Sequence, residues 1–140
     1  MKTGILVVCA LALTACGGGN DTGAEGSSKP VSVVGSWSFP YPGMDCSGTY
    51  NFAADHEFNA TSNNEELIGT YSFSDQANDS GRYFLRWEID SDNKQVNCEG
   101  DNDDFRGKAF EVYLDFPAED TMNWYIEAAG DAAVVTLTKG

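Results

Sequence analysis

The chain carries one histidine, His56, set between two acids, Asp55 and Glu57. An imidazole beside a carboxylate is the general-base part of a hydrolytic triad. No serine or cysteine is marked as its partner, and Asp55–Glu57 reads as a turn, so His56 is expected to be an exposed turn residue. A zinc site would need more His and Cys ligands than this chain offers. Carboxylates are plentiful, with 22 Asp and Glu against 8 Lys and Arg and a net charge of −14. Oxygen ligands suit calcium, and two acidic turns stand out, Asp90-Ser91-Asp92-Asn93 and Glu99-Gly100-Asp101-Asn102-Asp103-Asp104. Neither fits an EF-hand: the sixth position from Asp90 is Gln95 instead of glycine, and the fifth and sixth from Asp101 are Phe105 and Arg106. Asp101, Asp103 and Asp104 remain weak cation candidates; a solvated loop relieves the same repulsion and is the favoured expectation. The acids offer many carboxylate pairs for glycoside cleavage, and no motif selects one. The expectation is no metal, no cofactor and no enzyme activity.

The aromatic residues are the remaining candidates, and their spacing defines the elements that position them. Tyr83, Leu85, Trp87 and Ile89 alternate with Phe84, Arg86, Glu88 and Asp90; Phe110, Val112, Leu114 and Phe116 alternate with Glu111, Tyr113 and Asp115. Met122, Trp124 and Ile126 continue the pattern, as do Ala133, Val135 and Leu137. Further strands are expected at Gly35–Tyr41, Thr49–Phe52, Glu57–Ser62, Leu67–Ser74 and Lys94–Cys98. The period is 2 in run after run, with turn signals between, such as Pro42-Gly43, Asn63-Asn64 and Gly130-Asp131. About eight or nine short strands with short connections imply an all-β, antiparallel domain. A sandwich and a closed up-and-down barrel both fit. Trp37, Tyr50, Phe52, Tyr71, Tyr83, Trp87, Phe110 and Trp124 fall on the inward face. In a small barrel they either fill the interior or line a cavity for one small hydrophobic ligand. On the other face Arg86 reads as a surface ion-pair member. Phe84, Tyr113 and Tyr125 there would form an aromatic patch of the kind that binds proteins.

Four segments tip the choice towards the barrel. Val34-Gly35-Ser36-Trp37 resembles the Gly-X-Trp opening of lipocalin-like barrels, in which the tryptophan plugs the closed end. Gly48 to Phe58 resembles the second-strand hairpin of small bacterial lipocalin-like lipoproteins, with His56 where glycine is usual. Gly69-Thr70-Tyr71 opens the next hairpin in a similar way, and Gly130 to Thr138 is similar to that family's last strand. The resemblance implies an up-and-down barrel holding a small hydrophobic ligand.

The beginning of the chain points the same way. After Lys2, residues Ile5–Ala15 are apolar but for Thr14, the pattern of an export signal, too short to span a bilayer. Leu13-Thr14-Ala15-Cys16 resembles the lipobox of bacterial lipoproteins. The resemblance implies a signal peptide over 1–15, cleavage before Cys16, and acylation of that cysteine, which anchors the protein to a membrane. No aspartate follows Cys16, which favours the outer membrane if the source is Gram-negative. Residues 16–30, rich in Gly and Ser, form a flexible tether that reaches about 20 Å. Residues 31–140 make the β domain. Export implies an oxidising compartment, where Cys46 and Cys98 are expected to pair. The acidic charge argues against nucleic acid, which needs clustered Lys and Arg. Two roles follow for this cell-envelope protein: binding a small hydrophobic ligand inside the barrel, or serving as a solid-cored accessory protein that acts through a protein partner.

Overall fold

A computed structural model describes residues 30–140, and its strands form one closed antiparallel barrel. The strands are β1 (Gly35–Pro40), β2 (Ser47–Phe52), β3 (Glu57–Ser62), β4 (Glu65–Phe73), β5 (Tyr83–Asp92), β6 (Ala109–Ala118), β7 (Thr121–Tyr125) and β8 (Val135–Lys139). Each pairs with the next, and β8 returns to β1 through Trp37↔Lys139 and Ser38↔Thr138. This is the lipocalin-like up-and-down barrel, not the sandwich. Closure leaves no sheet edge to template aggregation. No helix occurs among the described residues, so none there is long and apolar enough to cross a membrane. The expected signal peptide (1–15), Cys16 and the tether up to residue 29 lie outside the described residues.

The period-2 patterns become the two faces of the wall. In β5, Leu85, Trp87 and Ile89 are buried while Arg86 and Glu88 face outward. The core continues through Phe52, Phe58, Val112, Leu114, Met122 and Leu137. The end at which the chain enters is sealed by Val33 and Trp37, both buried, with the Trp37 indole N–H donating to the Val33 carbonyl at 2.7 Å. The Lys139 ammonium sits 5.3 Å from that indole ring. His56 stays in its turn with φ 70°, a left-handed conformation usually given to glycine. Its N–H donates to Ala53 O, and Ala53 N–H donates to Glu57 O.

Four expectations are corrected. Lys94–Cys98 is not a strand but part of the long loop from β5 to β6. Its Asx side chains bind backbone N–H groups that a ladder would have used: Asp92 to Lys94, Asn93 to Gln95, and Asn97 to both Glu99 and Asp101. Gly69 does not open a hairpin. It lies within β4 at a bulge, where the register slips between Ile68 and Gly69. β7 stops at Tyr125, so Ile126 points to solvent at 59% exposure instead of continuing the inward row. Ala133 and Val134 likewise precede β8.

At the opposite end from Trp37, a disulfide joins Cys46, just before β2, to Cys98 in the β5–β6 loop. The expected pairing is present, and it fastens that loop across the barrel mouth.

Candidate functional site

The inward-facing aromatics form a ring network. Tyr50 is its hub, with centroid distances of 5.1 Å to Trp124, 5.9 Å to Phe58 and 6.2 Å to Trp87. Trp87 lies 5.2 Å from Trp124 and stacks on Phe110 at 5.6 Å. Phe52 connects Tyr50 to Tyr71, the last pair edge-to-face at 5.0 Å. Six of the eight candidate interior residues are therefore brought together. Trp37 and Tyr83 sit apart and meet Phe116, at 5.9 and 6.1 Å. These are spacings of rings in mutual contact. The Tyr71 hydroxyl donates to Ala53 O at 2.6 Å. Burial pushes the Tyr50 and Tyr71 phenols up, so both stay neutral at ordinary pH.

One polar atom in the network has no partner. The Trp124 indole nitrogen is buried and makes no hydrogen bond among the described residues. Leaving a buried N–H unpaired costs about 1–3 kcal/mol.

Two surface hollows flank the barrel wall, one of them reaching the network at Phe58. One, of about 270 Å³, is lined by Pro30, Val31, Phe116 and Lys139 where the chain enters. The other, of about 330 Å³, lies against Asn51, Asn59 and Ile68 on the outside of β2–β4. Of the eight candidate interior residues, none lines either.

The acidic loop is organised around its own cations. Asp104 binds Arg106 at 2.6 Å and Lys94 at 2.9 Å, which hold its carboxyl well below the usual range. Among the described residues no three His, Cys, Asp or Glu side chains converge to hold a metal. Of the weak cation candidates Asp101, Asp103 and Asp104, the last already has partners in Arg106 and Lys94.

On the outer face Arg86 makes the expected ion pairs, with Glu88 at 3.3 Å and Glu111 at 3.5 Å. Phe84 and Tyr113 pack together at 5.4 Å. Tyr125 stands opposite Tyr113 in the β6–β7 ladder, but its polar and ring partners lie elsewhere. Its hydroxyl donates to Asp115, and the Arg82 guanidinium covers its ring at 3.6 Å. Arg82 also pairs with Asp131 and donates to Glu127 O. It thereby ties the β4–β5 loop to the β7–β8 loop, with Asn78 Nδ2 donating to Ala128 O beside it. That clasp joins residues 49 apart in sequence, and no local pattern marks it.

A second feature missed by periodicity lies under the disulfide. Glu65 faces inward at the start of β4 and is only 5% exposed. Its neighbour Asp92, opposite Leu67, is also buried. The bulge in the β4–β5 ladder turns Asp92 inward, since an extra residue shifts which side chains face the core. One Glu65 oxygen is buried without a hydrogen-bond partner. Burial, then Asp92 and Glu99, push its carboxyl up to about 7.

No family model matches this chain, and no curated protein or solved structure matches it either.

Proposed function

We propose that this chain is a lipid-anchored protein of the bacterial cell envelope, with a solid barrel that acts through its outer surface on a protein partner. The observation that supports this best is the packing of the interior. Tyr50, Phe52, Tyr71, Trp87, Phe110 and Trp124 fill one another's surroundings, and none of the six lines either surface hollow. A rigid aromatic core gives a small domain a fixed surface to present. The anchor is supported by the Leu13–Cys16 motif, and the outer membrane is the favoured address in a Gram-negative cell.

A second reading, a small hydrophobic ligand inside the barrel, is supported by the unpaired Trp124 N–H. Such a ligand would carry a hydrogen-bond acceptor and would displace rings around Tyr50. Native mass spectrometry of the protein purified from membranes separates the two readings. Bare protein that also excludes hydrophobic fluorescent probes supports the solid scaffold. A stoichiometric co-purifying ligand, lost on Trp124→Phe, supports the second reading and overturns the first. The anchor is checked separately. Cys16→Ser should release the protein from the membrane fraction, and globomycin should cause the larger precursor to accumulate.

A further inference from the structure

We propose that the disulfide-capped end of the barrel is a proton-operated cap: loss of the Glu65 proton loosens residues 93–108 from the barrel mouth. The geometry centres on one shared carboxylate. Asp92 accepts from Lys94 N at 2.6 Å and from Phe105 N at 2.8 Å, so it pins both ends of the cap. Midway along, Cys98 N donates to Ser62 Oγ at 3.1 Å, and Ser62 donates to Tyr41 Oη at 2.9 Å. Phe105 then lies 6.0 Å from Phe110, the ring stacked on Trp87. Seating the cap thus seals the aromatic interior.

Glu65 is buried among these same groups with one oxygen unpartnered. Among the described residues, no positive charge acts on it. The groups acting on it are Asp92 from β5 and Glu99 from the cap. Tyr41, before β2, and Tyr50 on β2 are the phenols on which Glu65 acts in turn, and burial keeps both neutral. On its own strand Glu66 is exposed. Lys94, the cation in the cap nearest in sequence to Asp92, has its ammonium on Asp104. A protonated Glu65 fits this surrounding as a neutral group. Ionised, it places a second buried negative charge against the carboxylate that holds the cap. The proton goes to water, and no other reactant is needed.

The test is an NMR pH titration of the full-length protein with the disulfide intact, from pH 5 to 9. The Glu65 carboxyl carbon and the amides of 97–105 should titrate together near pH 7. Cap amide protection, corrected for intrinsic exchange, should fall about tenfold across that step, and Glu65→Gln should abolish the change. Reduction of Cys46–Cys98 by a phosphine should quicken over the same interval in the wild type only. A Glu65 carboxyl titrating in the ordinary range overturns the proposal without any variant. So does a cap response that persists in Glu65→Gln.

Discussion

Glu65 and Asp131 answer to pH in opposite senses. Glu65 carries a folded-state value near 7, above the ordinary 4.5. Folding therefore tightens its hold on a proton, and the stability it provides at low pH is lost as pH climbs through 7. At about 1.4 kcal/mol per unit, discounted for solvent at the barrel mouth, the loss is on the order of 1–2 kcal/mol. Asp131 is held low by Arg82, so its contribution is present at neutral pH and disappears as pH falls below the carboxylate range. Stability should therefore peak in the weakly acidic range. Urea midpoints against pH check this: Glu65→Gln should match the wild type near pH 4 and exceed it at pH 8. A variant with the wild-type slope between pH 5 and 8 would remove Glu65 from the account. Neither residue was legible from the sequence. Glu65 reads as a turn-side acid beside Asn63-Asn64, and its burial depends on a fold that brings Asp92 and Glu99 to it from 27 and more residues away. His56, by contrast, is legible as a turn residue, because the turn closes between near neighbours, Ala53 and Glu57.

At the scale of elements, two connections depend on single residues. The β4–β5 bulge depends on Gly69, where a Cβ would stand 1.8 Å from the Glu88 carbonyl oxygen. That neighbour is backbone and has no flexible end to move aside. Gly69→Ala must part the two strands at the bulge, and a loss of about 2–4 kcal/mol is expected in denaturant unfolding. It should also weaken the inward placement of Asp92, so the pH dependence described above should flatten with it. The second connection is the Arg82 clasp. The guanidinium serves Asp131, the Glu127 carbonyl and the Tyr125 ring at once, with its side chain 10% exposed. A lysine ammonium cannot span those acceptors as a planar fork does. Arg82→Lys should therefore speed amide exchange in 126–134 nearly as much as Arg82→Ala, while the barrel strands stay protected. Rescue by lysine would reduce the clasp to simple charge pairing. The strands themselves were legible wherever a run of five or more residues alternated, as in β5 and β6. The β5–β6 loop is not legible as a loop, because Gln95-Val96-Asn97 alternates like a short strand while its Asx side chains capture the backbone.

At the scale of the molecule, closure and the disulfide act on different states. Closing β8 onto β1 removes the sheet edges of the folded protein. The Cys46–Cys98 bond instead restricts the unfolded chain, since it closes a loop with a sequence separation of 52. In the chain-entropy treatment such a loop is worth about 4 kcal/mol, and measured effects usually fall below that. A domain of this size has a total stability of roughly 5–15 kcal/mol, so the bond is a large fraction of it. The barrel ladder does not pass through either cysteine: Cys46 precedes β2 and Cys98 lies in the cap. Cys46→Ser with Cys98→Ser should therefore keep the far-ultraviolet β signature and the near-ultraviolet aromatic signal. Its unfolding free energy should fall by about 2–4 kcal/mol, with a larger urea m-value as the unfolded chain expands. Loss of the aromatic signal at neutral pH would instead mean that the cap is needed to hold the Tyr50–Trp87–Trp124 packing in place. The pairing could be anticipated from two cysteines and an expected export signal, because an oxidising compartment favours a disulfide. The choice of barrel over sandwich could not be settled from alternation, since both architectures put one face of each strand inside; it is fixed by the long-range pairing of Trp37 with Lys139.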